Sequence, residues 1–117
     1  MLSVSTPKTS TGPGYAYIWK YSVRLEHVSD FVAAYGPNGD WVRLFRRFKG
    51  YCQTVLLRDR GNPLVFVTID YWRCASDWET FRKKAGEEFE SLDARCEQWT
   101  KEEHELGRYD ASYSASI

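Results

Sequence analysis

The stretch LVFVTIDYWR, Leu64 to Arg73, constrains this chain more than any other. Its β-branched and aromatic content marks a strand, yet its apolar side chains occupy both parities: Val65, Val67 and Ile69 are out of phase with Leu64 and Phe66. Successive side chains of a strand point to opposite faces, so this one needs apolar cover on both sides. A sheet with one face in water does not satisfy it.

The elements around it follow from the period of the apolar residues. In YAYIWKYSVR, Tyr15, Tyr17, Trp19, Tyr21 and Val23 alternate with Ala16, Ile18, Lys20 and Ser22, which predicts a first strand with one almost wholly aromatic face. From Glu26 the spacing becomes helical: Val28, Phe31, Val32 and Tyr35 precede the stop Gly36-Pro37-Asn38-Gly39, and Trp41, Leu44, Phe45 and Phe48 restart it, with Asn38 or Asp40 available as N-cap. Gly50 closes that piece, and YCQTVLLRD reads as a second strand joined to the third by the turn Arg60-Gly61-Asn62-Pro63. After Cys74-Ala75, Ser76 with Glu79 predicts a capping box, and the stripe Trp78, Phe81, Ala85, Phe89, Leu92, Cys96, Trp99 predicts a long helix bent at Gly86. Thr100 and Glu103 repeat the capping pattern for one more turn, and Leu106 to Tyr113 reads as the last strand.

The resulting order is βαββαβ, the ferredoxin-like α+β plan of one four-stranded antiparallel sheet with helices on one face. Its second face stays bare, and with strands one and three apolar on both sides the expected remedy is a second copy packed sheet to sheet, a homodimer. At 117 residues the chain is one domain, expected over residues 15–113, preceded by a flexible arm of Ser, Thr, Pro and Gly over 1–14 and followed by a short tail over 114–117.

Sixteen basic and sixteen acidic side chains cancel, so no overall field draws the chain to nucleic acid or an anionic membrane. The N-terminal MLSVSTPKTSTGPG lacks the apolar core of a secretory signal, and three cysteines without a CxxC pair suit a reducing compartment. A soluble, cytoplasmic protein is expected. Two distant histidines, His27 and His104, supply no metal-ligating pattern, and no nucleophile elbow, phosphate loop or dinucleotide fingerprint is present. No cofactor and no metal are expected. Aromatic residues make up 16 % of the chain, which calls for a wide interface, a ligand pocket or both.

The segments YIWKYSVR followed by Glu26-His27, YGPNGDWVRLFRRFKGY, and above all VTIDYWRCASDWETFRK resemble the antibiotic-biosynthesis-monooxygenase-like family of dimeric α+β barrels. In that family a strand ends in Trp and runs into an acidic, Ser-capped helix with an aromatic one turn in, which Trp72, Ser76, Asp77, Trp78 and Phe81 match. The resemblance implies a homodimer with a small-molecule pocket between sheet and helices in each subunit. It also implies oxidation of aromatic, polyketide-type substrates by oxygen without metal or flavin, or haem degradation. The haem-degrading branch has an Asn on the first strand and a His on the second main helix. Residues Tyr15 to Arg24 hold no Asn and Asp77 to Trp99 hold no His, which sets that route aside. Thr68 and Trp78 stand where the polyketide-oxidising branch has Asn and Tyr, and Trp72 matches outright.

Two residues emerge as catalytic candidates. Trp72 is either an aromatic wall for a flat substrate or a large core residue; Asp70 is either a desolvated base for a phenol or anthrone, or a carboxylate paired with Arg73 or Arg58. Tyr17, Trp19, Thr68 and Trp78 are the substrate-binding candidates. The aromatic ladder of the first strand also admits dimer interface plus core, or a base-stacking platform, although the third strand lacks the basic Gly-aromatic signature of RNA-recognition modules. Function therefore reads as a cofactor-independent monooxygenase of small aromatic substrates, against a non-catalytic ligand-binding or structural dimer.

Overall fold

Strands Tyr15–Val23 (β1), Tyr51–Arg58 (β2), Val65–Trp72 (β3) and Thr100–Asp110 (β4) form one antiparallel sheet in the order β2-β3-β1-β4. This is a computed structural model, and it describes residues 12–111. Helices Val28–Tyr35 (α1), Asp40–Phe45 (α2) and Ala75–Glu97 (α3) complete the βαββαβ order, with a 3-10 turn at Leu25–His27 leading into α1. The two strands with apolar side chains on both faces, β1 and β3, are central, and the more polar β2 and β4 are the edges.

One row of the sheet packs under the helices. Tyr21 and Val23 of β1 and Phe66 and Trp72 of β3 are buried there with Phe31 and Tyr35 of α1, Trp41, Leu44 and Phe45 of α2, and Trp78, Phe81 and Ala85 of α3. Ring contacts knit this core: Phe31 stacks on Tyr35 at 4.1 Å, and Phe45, Phe81 and Trp72 lie 5.1–5.7 Å apart in edge-to-face and tilted pairs. Val32 points outward instead of joining the α1 stripe.

The opposite row of the sheet carries Ile18, Val55, Val65, Val67, Ile69 and Tyr71, all half-buried, with Leu57 46 % and Tyr109 52 % exposed. β3 is thus covered on one face within the chain, and its second apolar face is open.

Several local expectations are corrected. α3 starts at Ala75 with Cys74 at the cap position, and Ser76 makes no cap; its hydroxyl meets Cys74 Sγ at 3.2 Å. With Trp72 fixed in the core, the chain turns into helix two residues earlier than the capping box predicts. Thr100 does not open a helical turn: it pairs with Val23 at the start of β4, because β1 offers a full ladder of backbone partners from there to Tyr15. β4 therefore begins six residues before Leu106. α2 ends at Phe45, and Phe48 follows it in a turn. Gly14, placed in the flexible arm, is tied into the sheet: its N–H donates to the Trp72 carbonyl at 2.9 Å and its carbonyl accepts from Ala111 at 2.9 Å. The remainder of the arm up to residue 11 and the tail from residue 114 lie outside the described residues.

The expected bend in α3 is present at Gly86, whose φ of 42° and ψ of −112° no helix contains. Gly50, at φ 93°, is another such position, since a Cβ there would lie on the Asp77 carboxylate. No helix among the described residues is long and apolar enough to cross a membrane.

Candidate functional site

Between the sheet and the helices is a cavity of about 370 Å³. Its floor is the helix-facing row of the sheet: Tyr17, Trp19 and Tyr21 from β1, Thr68 and Asp70 from β3, and Thr54 from β2. Strand register explains the grouping, since Tyr17 is the cross-strand partner of Asp70, Trp19 of Thr68, and Thr54 of Asp70 on the other side. Trp78, Arg82 and Phe89 of α3 and Trp41 of α2 form the roof. The walls are thus largely aromatic, which suits a flat apolar ligand.

Asp70 is the carboxylate in that floor. Its only hydrogen bond among the described residues runs from Oγ1 of Thr54 to Oδ1 at 2.8 Å. Burial pushes its carboxyl up to about 7, against the lowering effect of the Thr54 hydrogen bond. Neither arginine that the sequence offers as a partner reaches it: Arg73 lies beside Asp77 at 3.8 Å, and Arg58 bonds the Pro63 carbonyl and covers the Phe66 ring. A carboxylate near neutrality, with one oxygen free of hydrogen bonds and an aromatic enclosure, is equipped to take a proton from a bound hydroxyl or activated methylene.

Trp72 is placed differently. It is 0 % exposed, packs against Phe45, Tyr51 and Phe81, and is not among the residues lining the cavity. The other four candidates, Tyr17, Trp19, Thr68 and Trp78, all line it. The aromatic ladder of β1 lies on the helix side of the sheet, where it forms this floor.

The cavity has two electrically distinct ends. At one, the Arg108 guanidinium of β4 sits 4.7 Å over the Tyr17 ring and 4.9 Å over Trp78, while the Tyr17 hydroxyl donates to Glu105 at 2.9 Å. Burial, reinforced by the Glu105 carboxylate, holds the Tyr17 phenol above its ordinary range. At the other end Asp93, Glu97 and Glu103 line the cavity. The carboxyls of Asp93 and Glu103 are raised, first by burial and then by neighbouring acids; the Thr100 hydroxyl, 2.9 Å from Glu103, opposes the rise there.

Sequence reasoning missed Thr54, Glu103 and Arg108. Glu103 reads in the sequence as the capping partner of Thr100 in a helical turn, and Arg108 falls inside the strand expected from Leu106, where nothing in the sequence says which face it takes. Thr54 is hidden by an irregular register in β2. His27 and His104 stay at the surface with Asp30 and Glu102, and no cluster of metal-ligating side chains occurs among the described residues.

No protein-family profile and no curated protein sequence matches the chain. Solved structures do. A candidate antibiotic biosynthesis monooxygenase from Nitrosomonas europaea is 17 % identical, covering 90 % of this chain and 96 % of that one at a TM-score of 0.68. SnoaB, a cofactor-independent oxygenase from Streptomyces nogalater, is 16 % identical over 88 % of this chain and 97 % of its own, at 0.65. A further candidate antibiotic biosynthesis monooxygenase, from Deinococcus radiodurans, is 13 % identical over 88 % and 97 %, at 0.67. Coverage of nearly the whole of each neighbour with so little identity means that the architecture is shared and the side chains are not. The chain has the fold of the antibiotic biosynthesis monooxygenase structures.

Proposed function

We propose that this chain is a cofactor-independent monooxygenase of small aromatic substrates of the phenol, quinol or anthrone type, bound between sheet and helices. The observation that carries the reading is Asp70: a carboxyl raised to about 7, with no cationic partner among the described residues, in the floor of a cavity with aromatic walls. SnoaB, with the same fold, is an oxygenase that uses no cofactor, which supports the reading.

In this mechanism Asp70 takes the proton of a ring hydroxyl or of a doubly activated ring methylene, leaving a delocalised carbanion or phenolate. That anion is the reductant for dioxygen. For a methylene substrate one oxygen atom becomes the new carbonyl and the other leaves as water, so that CH₂ and O₂ become C=O and H₂O without an outside electron donor. Tyr17, Trp19 and Trp78 hold the ring, and Arg108 offers positive charge to the developing oxyanion at its end of the cavity. Trp72 packs beside the floor on the same face of the sheet, held under Phe45 and Phe81.

The open face of the sheet supports a homodimer as the working form. A contiguous apolar surface on β3, β1 and β2, continuous across Val67, Ile69 and Val55, is best removed from water by the same surface of a second copy.

Oxygen uptake with a panel of anthrones and quinols tests the reading. Wild type consumes oxygen, with a rate that rises with pH through about 7 as Asp70 ionises, and Asp70→Asn lowers the rate by about 100-fold or more. Binding of the panel without oxygen consumption overturns the oxygenase reading and leaves a non-catalytic binding protein.

A further inference from the structure

Asp70 is the inner end of a chain of hydroxyls. The Tyr51 hydroxyl donates to Thr54 Oγ1 at 2.8 Å, and Thr54 Oγ1 donates to Asp70 Oδ1 at 2.8 Å. A threonine hydroxyl has one proton, so when Asp70 is ionised the direction of both bonds is set, from Tyr51 inward. Residues three apart on a regular strand point to opposite faces. Here the pairing of β2 with β3 skips a residue between Tyr51 and Gln53, so that Tyr51 and Thr54 both reach the helix side.

The two ends of the chain lie in different places. Asp70 opens on the inner cavity, and Tyr51 lines a separate hollow outside β2, together with Pro37, Arg46, Phe48 and Gln53. Thr54 is the one described residue that lines both. A connected row of exchangeable protons thus crosses the wall between the inner cavity and the outside of the protein.

We propose that Thr54 and Tyr51 are positioning residues that set the ionisation of Asp70 and relay the proton it accepts from the inner cavity to the hollow at the outer edge of β2. The proposal rests on the reading of Asp70 as the base. In the forward step the ligand's O–H or C–H bond breaks and its proton goes to the unbonded oxygen of Asp70. The carboxyl then rotates to bring its protonated oxygen to Thr54, and the two hydroxyls turn: Asp70 passes that proton to Thr54 Oγ1, Thr54 passes its own to the Tyr51 oxygen, and Tyr51 releases its proton to water in the hollow. Each hydroxyl ends with one proton, Asp70 is again a carboxylate, and the net change is one proton moved from ligand to solvent. With the cavity filled by ligand, this route does not pass the ligand.

Other groups facing Asp70 do not take this role. On β1, Tyr17 is engaged by Glu105 and Arg108, and Tyr21 lies against Thr68 at 3.3 Å. From α3, Arg82 covers Phe89 and bonds Glu90, while Asp93 and Glu97 lie with Glu103 of β4 at the acidic end. From α1, Tyr35 is held among Tyr21, Phe31 and Trp41. Among the described residues none of these hydrogen-bonds the Asp70 carboxylate; Thr54 alone does.

The test is carboxyl-carbon NMR of the full chain, following the Asp70 titration and its exchange with solvent protons. Thr54→Val, which keeps the shape and removes the hydroxyl, raises the Asp70 midpoint by about one pH unit and slows proton exchange at the carboxyl by about tenfold. Tyr51→Phe deletes a single oxygen, slows exchange similarly and raises the midpoint less; Thr54→Ser restores both. An unchanged midpoint and exchange rate in Thr54→Val overturns the proposal, and if that variant does not fold, unchanged exchange in Tyr51→Phe does so. These readouts need no substrate. A relay that passes them in a protein consuming no oxygen overturns the oxygenase reading alone, and intact oxygen uptake with an unmoved titration overturns the relay alone.

Discussion

Thr54 Oγ1 and Asp70 Oδ1 are 2.8 Å apart across the β2–β3 pair, and this bond is all that opposes the burial of the Asp70 carboxylate. A half-buried carboxylate with one neutral donor is a destabilising feature of the fold at neutral pH, kept at the place where the chemistry is proposed.

Stability should therefore fall as pH rises. The folded-state carboxyl of Asp70 titrates near 7 and an unfolded aspartate near 4, so between these values the unfolded chain loses its proton first and is favoured. The effect is fully expressed above about pH 7 and is worth roughly 2–4 kcal/mol. Asp93 and Glu103, also raised, act in the same direction. Thermal melts at pH 5 and pH 8 are expected to show a drop for wild type and a smaller drop for Asp70→Asn; equal drops would count against a buried Asp70.

Trp72→Phe should act on stability more than on the site. Trp72 is fully enclosed by Phe45, Tyr51 and Phe81, so the smaller ring leaves a void costing about 1–3 kcal/mol in urea unfolding. Affinity for a cavity ligand should change by less than about threefold, whereas Trp78→Ala, on the cavity wall, should weaken it by tenfold or more.

Gly86→Ala isolates backbone strain. A Cβ at Gly86 meets nothing within 4 Å, yet φ is 42° and ψ is −112°. The substitution should cost about 1–3 kcal/mol from conformation alone, or straighten α3. Straightening would carry Phe89 and Asp93 away from the cavity and appear as lost ligand affinity with little lost stability.

Ile69→Lys probes the open face of the sheet. Ile69 pairs with Ile18 on one side and Val55 on the other, at the middle of the apolar row. Light scattering should give twice the 13.7 kDa chain mass for wild type and the single mass for the variant. A wild-type mass of one chain would remove the homodimer from the proposal.

Much of the fold was legible because apolar period is a local property. The switch from two-residue alternation in Tyr15–Val23 to helical spacing after Glu26, and back again at Tyr51, announced element type and order, and the double-faced apolar pattern of β3 called for cover on both faces, of which the chain itself supplies one. Tyr17 and Trp19 on one strand, and Thr68 and Asp70 on another, were legible as pairs because side chains of one parity share a face, while Trp78 on α3 came from the family resemblance.

What the tertiary structure alone decided depends on pairing and coverage. Trp72 and Asp70 have the same parity, yet Phe45 of α2 and Phe81 of α3 close over Trp72 while Asp70 opens on the cavity. Helix placement, which the strand pattern does not contain, makes one a core residue and the other a candidate base. β4 starts at Thr100 because β1 supplies backbone partners to a polar edge strand that has no apolar signature of its own. Tyr51 and Thr54 reach the same side because the register with β3 skips a residue between them. Sequence by itself determined the order of the strands and helices, and that β3 is apolar on both faces, because apolar period is local. Long-range hydrogen bonding and packing decided which side chains meet.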